Sequence, residues 1–586
     1  MTSQRVPGAH AGDHGTTFVV WSTRAKKVEV RLFDAERHPT HTLLLESSES
    51  GWFERYVEGV LPGALYIFVV DGTEVPDPYA RFLPFGPHGP ARVERRRSIA
   101  ALPAAPPLEK TIFYELHVGT FTKEGTYRAA EQKLDALVDL GVTTIELLPL
   151  ASFPGARGWG YDGVALYAPF APYGEPDDLA SFLEAAHARG LAVFLDVVFN
   201  HFGPSGNYLW SYAEEYFTKE IETPWGAAPD FAHAPMRRLA TDVVRYWLEE
   251  WGFDGLRLDA THEIHDRSSP HVLREITDLA HALEPSRRIV LEDERNDPSV
   301  IVGHRADGVW ADDLHHQLHV LLTGERDGYY GAHEPTLEAL AKNLSRGWTF
   351  EGAPYPPWRG RPRGKPAPGS GIEPAQLVTC LQNHDQIGNR ALGDRLGAIV
   401  GADELCVATA ILLFAPGTPL LFMGQEWNAS TPFLFFSDHE GDLGTAVREG
   451  RRKEFAAFAA FSDPASRERI PDPQAASTFE RSTLKWSERD RPDHARVLDL
   501  TKQLIALRRS DPVLSARSSW AEVAATAENG VLEVVRRRGR EVRRLFASFG
   551  DRAARVTVSA DTRVLMTVGT FDGANLGPKS ALIVDR

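Results

Sequence analysis

Short stretches of alternating apolar and polar residues fill the first hundred positions of the chain. Val28, Val30 and Leu32 alternate with charged residues, and comparable runs are TTFVVWS, WFERYV and ALYIFVV. A period of two places one side of each segment in a core and the other side in solvent, which is typical of half-buried β-strands. The pattern predicts an N-terminal β-sandwich over residues 1–100, followed by a Pro- and Ala-rich linker over residues 101–108.

From Thr111 onward, apolar strand-like runs alternate with amphipathic helical segments. The first runs are TIFYELHV, TTIELLPL and LAVFLDVVFN, and the segments between them carry apolar residues at helical spacing. Eight such units predict an α/β fold, a (β/α)8 TIM barrel over residues 109–514, rather than an open sheet. Short runs such as VLEVVRRR, RVTVSA and ALIVD then predict a C-terminal antiparallel β domain over residues 515–586.

Residues 405–424 carry no charge, and this uncharged stretch is long enough to cross a membrane. The sequence PGTP interrupts this stretch after about three helical turns, so we expect a buried helix followed by a buried strand. The first twenty residues lack the basic start and apolar centre of a secretory signal. We therefore expect a soluble, cytoplasmic protein that does not bind a membrane.

Composition narrows the possible partners. Sixty-four basic and eighty acidic residues give a net charge of −16, which disfavours binding to nucleic acid. With this charge, the Gly-, Pro- and Arg-rich segment 351–374 is expected to be a solvated loop near the barrel mouth. Cys380 and Cys406 lie in apolar runs, so we expect buried free thiols, as is usual in a reducing compartment.

Polar residues stand at the carboxyl ends of several predicted barrel strands. Active sites of such barrels lie at this face, so these side chains are expected to converge there, with Trp159 and Tyr161 nearby. The strand-end residues are Asp196, Asn200 and His201 on the third strand, Arg257 and Asp259 on the fourth, Glu292 on the fifth, and Asn383, His384 and Asp385 after the seventh.

This set of residues suits the cleavage of an acetal. One carboxylate attacks the anomeric carbon, and a protonated carboxyl group donates to the leaving oxygen. Another carboxylate beside the nucleophile raises the pKa of the acid. Arg257 lies two residues before Asp259 and so faces the same side of the strand, where it can hold that carboxylate ionised. Spacing alone leaves the acid open between Glu292 and Glu294.

These segments resemble the α-amylase family of retaining glycoside hydrolases. DVVFNH, GLRLDATHE, VLED and LQNHD are similar to its four signature segments, in order, and GTPLLFMGQEW is similar to a further one. The resemblance implies that Asp259 is the nucleophile, Glu292 the acid/base and Asp385 the transition-state stabiliser. Expected substrate contacts come from Tyr161, His201, Arg257, His262, Glu263, Asp313, His384 and Gln386.

Longer stretches, among them YELHVGTFTKEGTY and FMGQEWNASTPFLFFSDHEGDLG, resemble the members of this family that release trehalose. They imply hydrolysis of the α-1,4 bond next to the terminal α,α-trehalose of maltooligosyltrehalose, which yields trehalose and a maltooligosaccharide. The alternative is a glycogen branching enzyme, which has the same barrel and a similar N-terminal module. A catalytically inactive glucan-binding member would lack one of the three carboxylates, and all three are present.

Two groups of histidines have the spacing of metal ligands on one helix face. They are His262 with His265, and His315 with His316 and His319. No carboxylate or cysteine completes a recognisable ligand set, so hydrogen bonding is the preferred interpretation. In the family, the residue that matches Asn200 can bind calcium, but the other ligands are not recognisable. We expect neither a metal nor another cofactor.

Overall fold

Eight parallel strands close into a barrel in the computed structural model, which describes residues 5–97, 104–455, 458, 461–559 and 561–585. Each strand pairs in parallel with its neighbour, and the last pairs with the first. The predicted TIM barrel is therefore confirmed. We label its strands β1 to β8 in chain order: Phe113–Leu116, Thr144–Leu147, Ala192–Val197, Gly255–Leu258, Arg288–Glu292, Gly308–Trp310, Leu377–Cys380 and Thr418–Phe422.

Helices connect and surround the barrel strands. The longer ones are Pro176–Ala188, Ala234–Arg245, Val272–Ala282, Asp313–Thr323, Leu337–Arg346, Ala402–Phe414, Gly441–Glu454 and Pro492–Ser510. Shorter ones are Val118–Phe121, Tyr127–Glu131, Leu134–Leu140, Leu209–Tyr212, Pro298–His304, His384–Gly388, Leu396–Val400, Pro464–Arg467 and Ala476–Arg481. The uncharged stretch 405–424 forms most of helix Ala402–Phe414 and then β8, as expected. Among the described residues, no helix combines the length and apolar character needed to cross a bilayer.

Two antiparallel sheets form the N-terminal sandwich. One contains Gly8–Ala11, Gly15–Trp21, Trp52–Glu58 and Glu46–Ser48; the other contains Pro39–Leu44, Val28–Phe33, Leu65–Val70, Thr73–Val75 and Ala91–Arg92. The predicted sandwich is confirmed. Of the predicted linker 101–108, residues 101–103 lie outside the described part of the chain, and Leu108 begins a short 3₁₀ turn.

The C-terminal antiparallel domain is also confirmed. Its main sheet contains Val523–Glu528, Val531–Arg538, Glu541–Ser548, Ser580–Asp585 and Arg563–Val568. The predicted strand RVTVSA is wrong, because within its described residues only Arg555 lies in a strand, Ala554–Arg555. Cys380 and Cys406 are free and buried, as expected.

Side chains alternate in direction along a strand, so residues two positions apart both point into the barrel. Successive inward-pointing residues therefore lie at different depths in the barrel interior. Phe113, Phe194 and Val290 form the lower part of the interior, and they belong to an apolar cluster that also contains Leu108, Trp310, Val378, Cys380 and Leu420. Two residues further along β1, β3 and β5, the same side of each strand carries an acid: Glu115, Asp196 and Glu292. The lower apolar residues thus form a floor beneath a ring of charged groups at the carboxyl ends of the strands.

Gly255 on β4 makes room for this floor. A Cβ atom at this position would lie 2.5 Å from two ring carbons of Phe194 and 2.7 Å from the carbonyl oxygen of Arg288. Phe194 is the register partner of Gly255 on β3. A side chain here would displace either an interior ring or the backbone of β5, so the position requires glycine.

We expect Gly255→Ala to lower the free energy of unfolding by about 1–3 kcal/mol, because a close-packed interior does not absorb an added methyl group. Urea denaturation measures this change. Gly303→Ala is the matched control: Gly303 is exposed in helix Pro298–His304, and a Cβ there meets no atom within 4 Å. The same substitution should be neutral or stabilising there, by at most about 1 kcal/mol. Equal effects at the two positions would contradict the packing argument.

Candidate active site

Arg257 lies at the centre of the charged ring and has no exposed side-chain surface. Its Nη1 atom donates to Asp196 Oδ2 at 2.7 Å and to Asp259 Oδ1 at 2.8 Å. Its Nη2 atom lies 2.7 Å from Glu292 Oε2. The guanidinium also packs on Trp310, 4.2 Å from the ring centroid. One buried cation therefore contacts three carboxyl groups, which come from the ends of three neighbouring strands.

Asp259 directly follows β4 and is held as a carboxylate. Asn200 Nδ2 donates to Asp259 Oδ2 at 2.8 Å and to its backbone oxygen at 3.0 Å. Burial opposes ionisation of Asp259, but Arg257, the Asn200 amide and His201 outweigh it, so the pKa of Asp259 lies below its ordinary value. An ionised carboxylate with fixed orientation can act as a nucleophile.

Glu292 ends β5 and has the opposite protonation tendency. Its Oε2 atom accepts a hydrogen bond from the backbone N–H of Ala260 at 2.8 Å. Burial is the largest influence on Glu292, and the nearby Asp259 and Asp385 add to it against Arg257, so its pKa is raised well above the ordinary value. A carboxyl group that keeps its proton near neutral pH can act as a general acid.

The structure distinguishes the two acids that spacing left open. Glu294 is exposed, and its backbone oxygen accepts a hydrogen bond from Arg363 at 2.8 Å. Between them, Asp293 is buried and pairs with the neighbouring Arg295. Of the three acids in this segment, Glu292 is the one that contacts Arg257.

Asp385 and two histidines border the same space. Asp385 follows β7 in helix His384–Gly388, and its Oδ1 atom lies 3.5 Å from His384 Nε2. The Tyr161 ring stacks on His384 at 5.1 Å, and its hydroxyl donates to Asp196 at 2.5 Å. His201 bonds Asn200 and contacts the Tyr161 carbonyl oxygen at 2.9 Å. The structure thus brings the predicted triad, both histidines and Tyr161 to one face of the barrel.

Trp225 is a site residue that sequence reasoning missed. It lies between the strands Phe217–Thr223 and Gly226–Pro229 of a hairpin, and its ring stacks on His201 at a centroid distance of 3.9 Å. The Trp225 side chain remains 45% exposed. An exposed aromatic side chain beside the catalytic groups can pack against a sugar ring. In the sequence, the one feature that points to Trp225 is a tryptophan between Pro224 and Gly226, where a turn is expected.

His262 and Glu263 follow Asp259 in the 3₁₀ turn Thr261–Glu263. Glu263 is exposed, and its carboxylate lies 4.0 Å from His262 and 3.6 Å from His265. Among the described residues, the buried Nδ1 atom of His262 has no hydrogen-bond partner. Gln386 accepts a hydrogen bond from Tyr329 at 3.3 Å. The exposed Glu263 carboxylate therefore retains hydrogen-bonding capacity for another molecule, whereas His262 Nδ1 is buried.

The structure does not support a direct sugar contact by Asp313. Its side chain is fully buried, and its Oδ2 atom accepts from Asn296 at 2.9 Å and from the Thr349 N–H at 2.7 Å. Its Oδ1 atom accepts from Arg363 at 3.1 Å. These bonds occupy both carboxylate oxygens and hold neighbouring segments in place. A sugar could therefore contact Asp313 only if some of them broke.

The segment 351–374 is also less solvated than expected. Ala353–Pro354 and Pro362–Arg363 form a short hairpin, and Arg363 extends from it into the protein, where it is buried. Its contacts with Asp313 and the Glu294 carbonyl attach the hairpin to the loops after β5 and β6. Arg359 and Arg361 are exposed, as predicted.

One group of described residues has the arrangement of a metal site. Asp313, His316 and His333 place ligand atoms within 4.8 Å of one another. The Arg363 guanidinium, 3.1 Å from the same Asp313 carboxylate, opposes a divalent cation there by charge repulsion. Asn200, in turn, uses its amide to orient Asp259 and His201. Neither set of donors fits a metal well.

Comparison with known proteins agrees with the barrel and the sandwich. A family model for the alpha amylase catalytic domain matches residues 111–225. A model for carbohydrate-binding module 48, the isoamylase N-terminal domain, matches residues 7–80. The malto-oligosyltrehalose trehalohydrolase of Deinococcus radiodurans is 49% identical over 86% of this chain and 83% of its own length. The chain belongs to the malto-oligosyltrehalose trehalohydrolase family.

Other proteins of the same fold are also similar to this chain. A Salmonella typhimurium protein, assigned as an alpha amylase, has a crystal structure that matches with a TM-score of 0.91 at 38% identity and 100% coverage of both chains. The 1,4-alpha-glucan branching enzyme of Leifsonia xyli is 30% identical, but over only 49% of this chain and 45% of its own. The similarity to trehalohydrolases extends over far more of the chain than the similarity to the branching enzyme.

We expect Asp259→Asn to abolish turnover while the fold is retained, because an amide cannot form a glycosyl ester. Glu292→Gln should lower kcat by about 10²–10⁴-fold, because it removes the proton donor. Glu294→Gln is the matched control and should remain close to wild type, since that side chain is exposed. Losses below about tenfold in either of the first two variants, or an inactive third variant, would contradict these assignments.

Proposed function

We propose that this chain hydrolyses the α-1,4-glucosidic bond next to the terminal α,α-trehalose of maltooligosyltrehalose, releasing trehalose and a maltooligosaccharide. The observation that carries the proposal is the contact of Arg257 with three carboxyl groups, combined with opposite pKa directions at Asp259 and Glu292. The relationship to the Deinococcus radiodurans trehalohydrolase supports the choice of substrate.

In the first half-reaction, the Asp259 carboxylate attacks the anomeric carbon of the sugar on the non-reducing side. The C1–O bond breaks, and Glu292 gives its proton to the departing oxygen, which leaves as a hydroxyl group of trehalose. The maltooligosyl unit is then bound to Asp259 as an ester. The developing oxocarbenium ion carries positive charge, so the partly exposed carboxylate of Asp385 is placed to stabilise it.

In the second half-reaction, Glu292 is ionised and accepts a proton from a water molecule. The water oxygen bonds to the anomeric carbon as the bond to Asp259 breaks, which restores both carboxyl groups to their starting states. Two inversions at one carbon give net retention, so the maltooligosaccharide leaves as the α-anomer.

The sugar that is cleaved would lie beside Tyr161, His201 and His384. The ring nitrogens of His201 are bonded to Asn200 and the Tyr161 carbonyl oxygen, so His384 Nε2 is the ring nitrogen placed to bond a sugar hydroxyl group. Trp225 stacks on His201 and presents an aromatic face next to the same sugar. Arg257 acts through Asp259 and Glu292, because it is fully buried beneath them. In this proposal Arg257 orients the carboxyl groups and does not contact the sugar.

The trehalose unit would occupy the side beyond Glu292. The exposed carboxylate of Glu263 has free hydrogen-bonding capacity there, and His262, Asp312 and Gln386 are further candidates close by. A 1,1-linked pair has a different bend from a 1,4-linked pair and no reducing end. Polar groups that match the first pair would be left partly unpaired by the second, and such sites discriminate strongly.

We extend the proposal to the setting of the reaction. The free thiols of Cys380 and Cys406 fit a reducing compartment, so we propose a cytoplasmic enzyme of trehalose biosynthesis. Its proposed partners are the two sugars, maltooligosyltrehalose and maltooligosaccharide. The net charge of −16 disfavours a nucleic-acid partner.

The test compares maltotriosyltrehalose with maltopentaose, which contain the same number of glucose units. We expect kcat/KM to be at least about tenfold higher for the first substrate, with trehalose as the first small product. NMR spectroscopy during the first turnovers should show the α-anomer of the other fragment.

Each alternative has its own signature in this experiment. Comparable kcat/KM values, with maltose or glucose appearing first, would indicate a general amylase. New α-1,6 bonds in a glucan substrate would indicate a branching enzyme. Initial release of the β-anomer would contradict the double displacement at Asp259.

A further inference from the structure

Glu115 forms a buried pair with His384 beneath the active site. Glu115 lies on β1, and its Oε1 atom is 2.5 Å from His384 Nδ1. Its Oε2 atom accepts the backbone N–H of His384 at 3.0 Å. Both side chains are about 1% exposed. Glu115 therefore contacts His384 through both of its oxygen atoms.

The other ring nitrogen of His384 also faces a carboxylate. His384 Nε2 lies 3.5 Å from Asp385 Oδ1. A carboxylate oxygen only accepts hydrogen bonds, so each ring nitrogen is placed to carry a proton. Two carboxylates at the two ends of one imidazole favour the imidazolium cation over either neutral tautomer.

The remaining charged and titratable neighbours of His384 do not reverse this preference. Burial lowers the pKa of His384, but Asp385 and Glu115 outweigh both burial and Arg257 and raise it to about 10. His117 is neutral, because burial lowers its pKa to about 4. The further groups that face this part of the barrel are Glu146, Asp196 and Tyr161.

Glu146 provides an internal comparison. It is the register partner of Glu115 on β2 and is equally buried, yet neither of its carboxyl oxygens has a hydrogen-bond partner among the described residues. Burial and the neighbouring Glu115 raise the pKa of Glu146 well above its ordinary value. The two adjacent glutamates therefore differ: Glu115 pairs with His384, whereas burial favours the protonated form of the unpaired Glu146.

We propose that Glu115 is a positioning residue that keeps His384 doubly protonated, so that His384 presents an N–H donor to the substrate. With the imidazolium, Nδ1–H is bound by Glu115 and Nε2–H is directed towards Asp385 and the space above it. With a neutral ring whose single proton stays at Nδ1, Nε2 would be an acceptor and would lose its charge-assisted contacts. The use of this donor for a sugar hydroxyl rests on the proposed function, whereas the protonation state does not.

The test is the pH profile of kcat/KM for Glu115→Gln, measured on whichever α-1,4-linked substrate the enzyme cleaves. Glutamine has the same shape but no charge, so the pKa of His384 should fall towards or below its ordinary value. We expect a loss of about 10–100-fold near pH 8, the scale of one charge-assisted hydrogen bond, with partial recovery below about pH 6.

Glu146→Gln is the matched control, since it replaces an acid of the same size whose protonated form burial favours. Its pH profile should coincide with that of the wild type. Glu115→Asp retains the negative charge and should keep the shape of the wild-type profile. A pH-independent loss in Glu115→Gln, or the same profile in both glutamine variants, would overturn the proposal.

A second measurement needs neither turnover nor a folded variant at Glu115. The ring ¹⁵N shifts of His384 in the wild type, assigned by comparison with His384→Gln, report its protonation near pH 8 directly. Two protonated nitrogens would support the proposal, and a neutral ring would refute it. Because this reading involves no substrate, it stays valid if the enzyme proves to have no preference for trehalose.

Discussion

The contact of Arg257 with Asp196, Asp259 and Glu292 is the interaction on which the rest of the site depends. Removing an ion from water costs several kcal/mol, and a buried carboxylate without a partner usually takes up a proton instead. Here one fully buried cation lies between three carboxyl groups. It lowers the pKa of Asp259, which also has Asn200, but does not overcome burial at Glu292. Burial and one shared cation thus leave Asp259 and Glu292 with pKa values shifted in opposite directions.

The barrel makes this arrangement possible through alternation along its strands. Phe194 and Gly255 lie side by side in the floor, and Asp196 and Arg257, their successors by two residues, lie side by side above it. The missing side chain at Gly255 admits the Phe194 ring, and the Trp310 ring packs on the guanidinium. The position of the charges is therefore set by close packing of apolar groups beneath them.

Much of this could be predicted from the sequence, because strand ends and alternation are local properties. Asp259, Glu292 and Asp385 stand directly after apolar runs, and their convergence follows from the barrel alone. Trp225 could not be predicted, since its contact with His201 depends on how a loop hairpin folds over the barrel. The burial of Asp313 could not be predicted for a related reason: its partners Arg363 and Asn296 come from distant loops. Local patterns locate the ends of strands but not the contacts between loops.

The most direct test of this account is the pH dependence of kcat/KM for the wild type and for Arg257→Gln. In the proposed mechanism, the acid limb of the profile reports protonation of Asp259, because only its carboxylate can attack. Glutamine preserves a hydrogen-bond donor and removes the positive charge, so the pKa of Asp259 should rise. We predict that the acid limb moves to higher pH by about one unit or more, in addition to a general loss of activity. An acid limb that stays at the wild-type pH would show that Arg257 does not set the charge of the nucleophile.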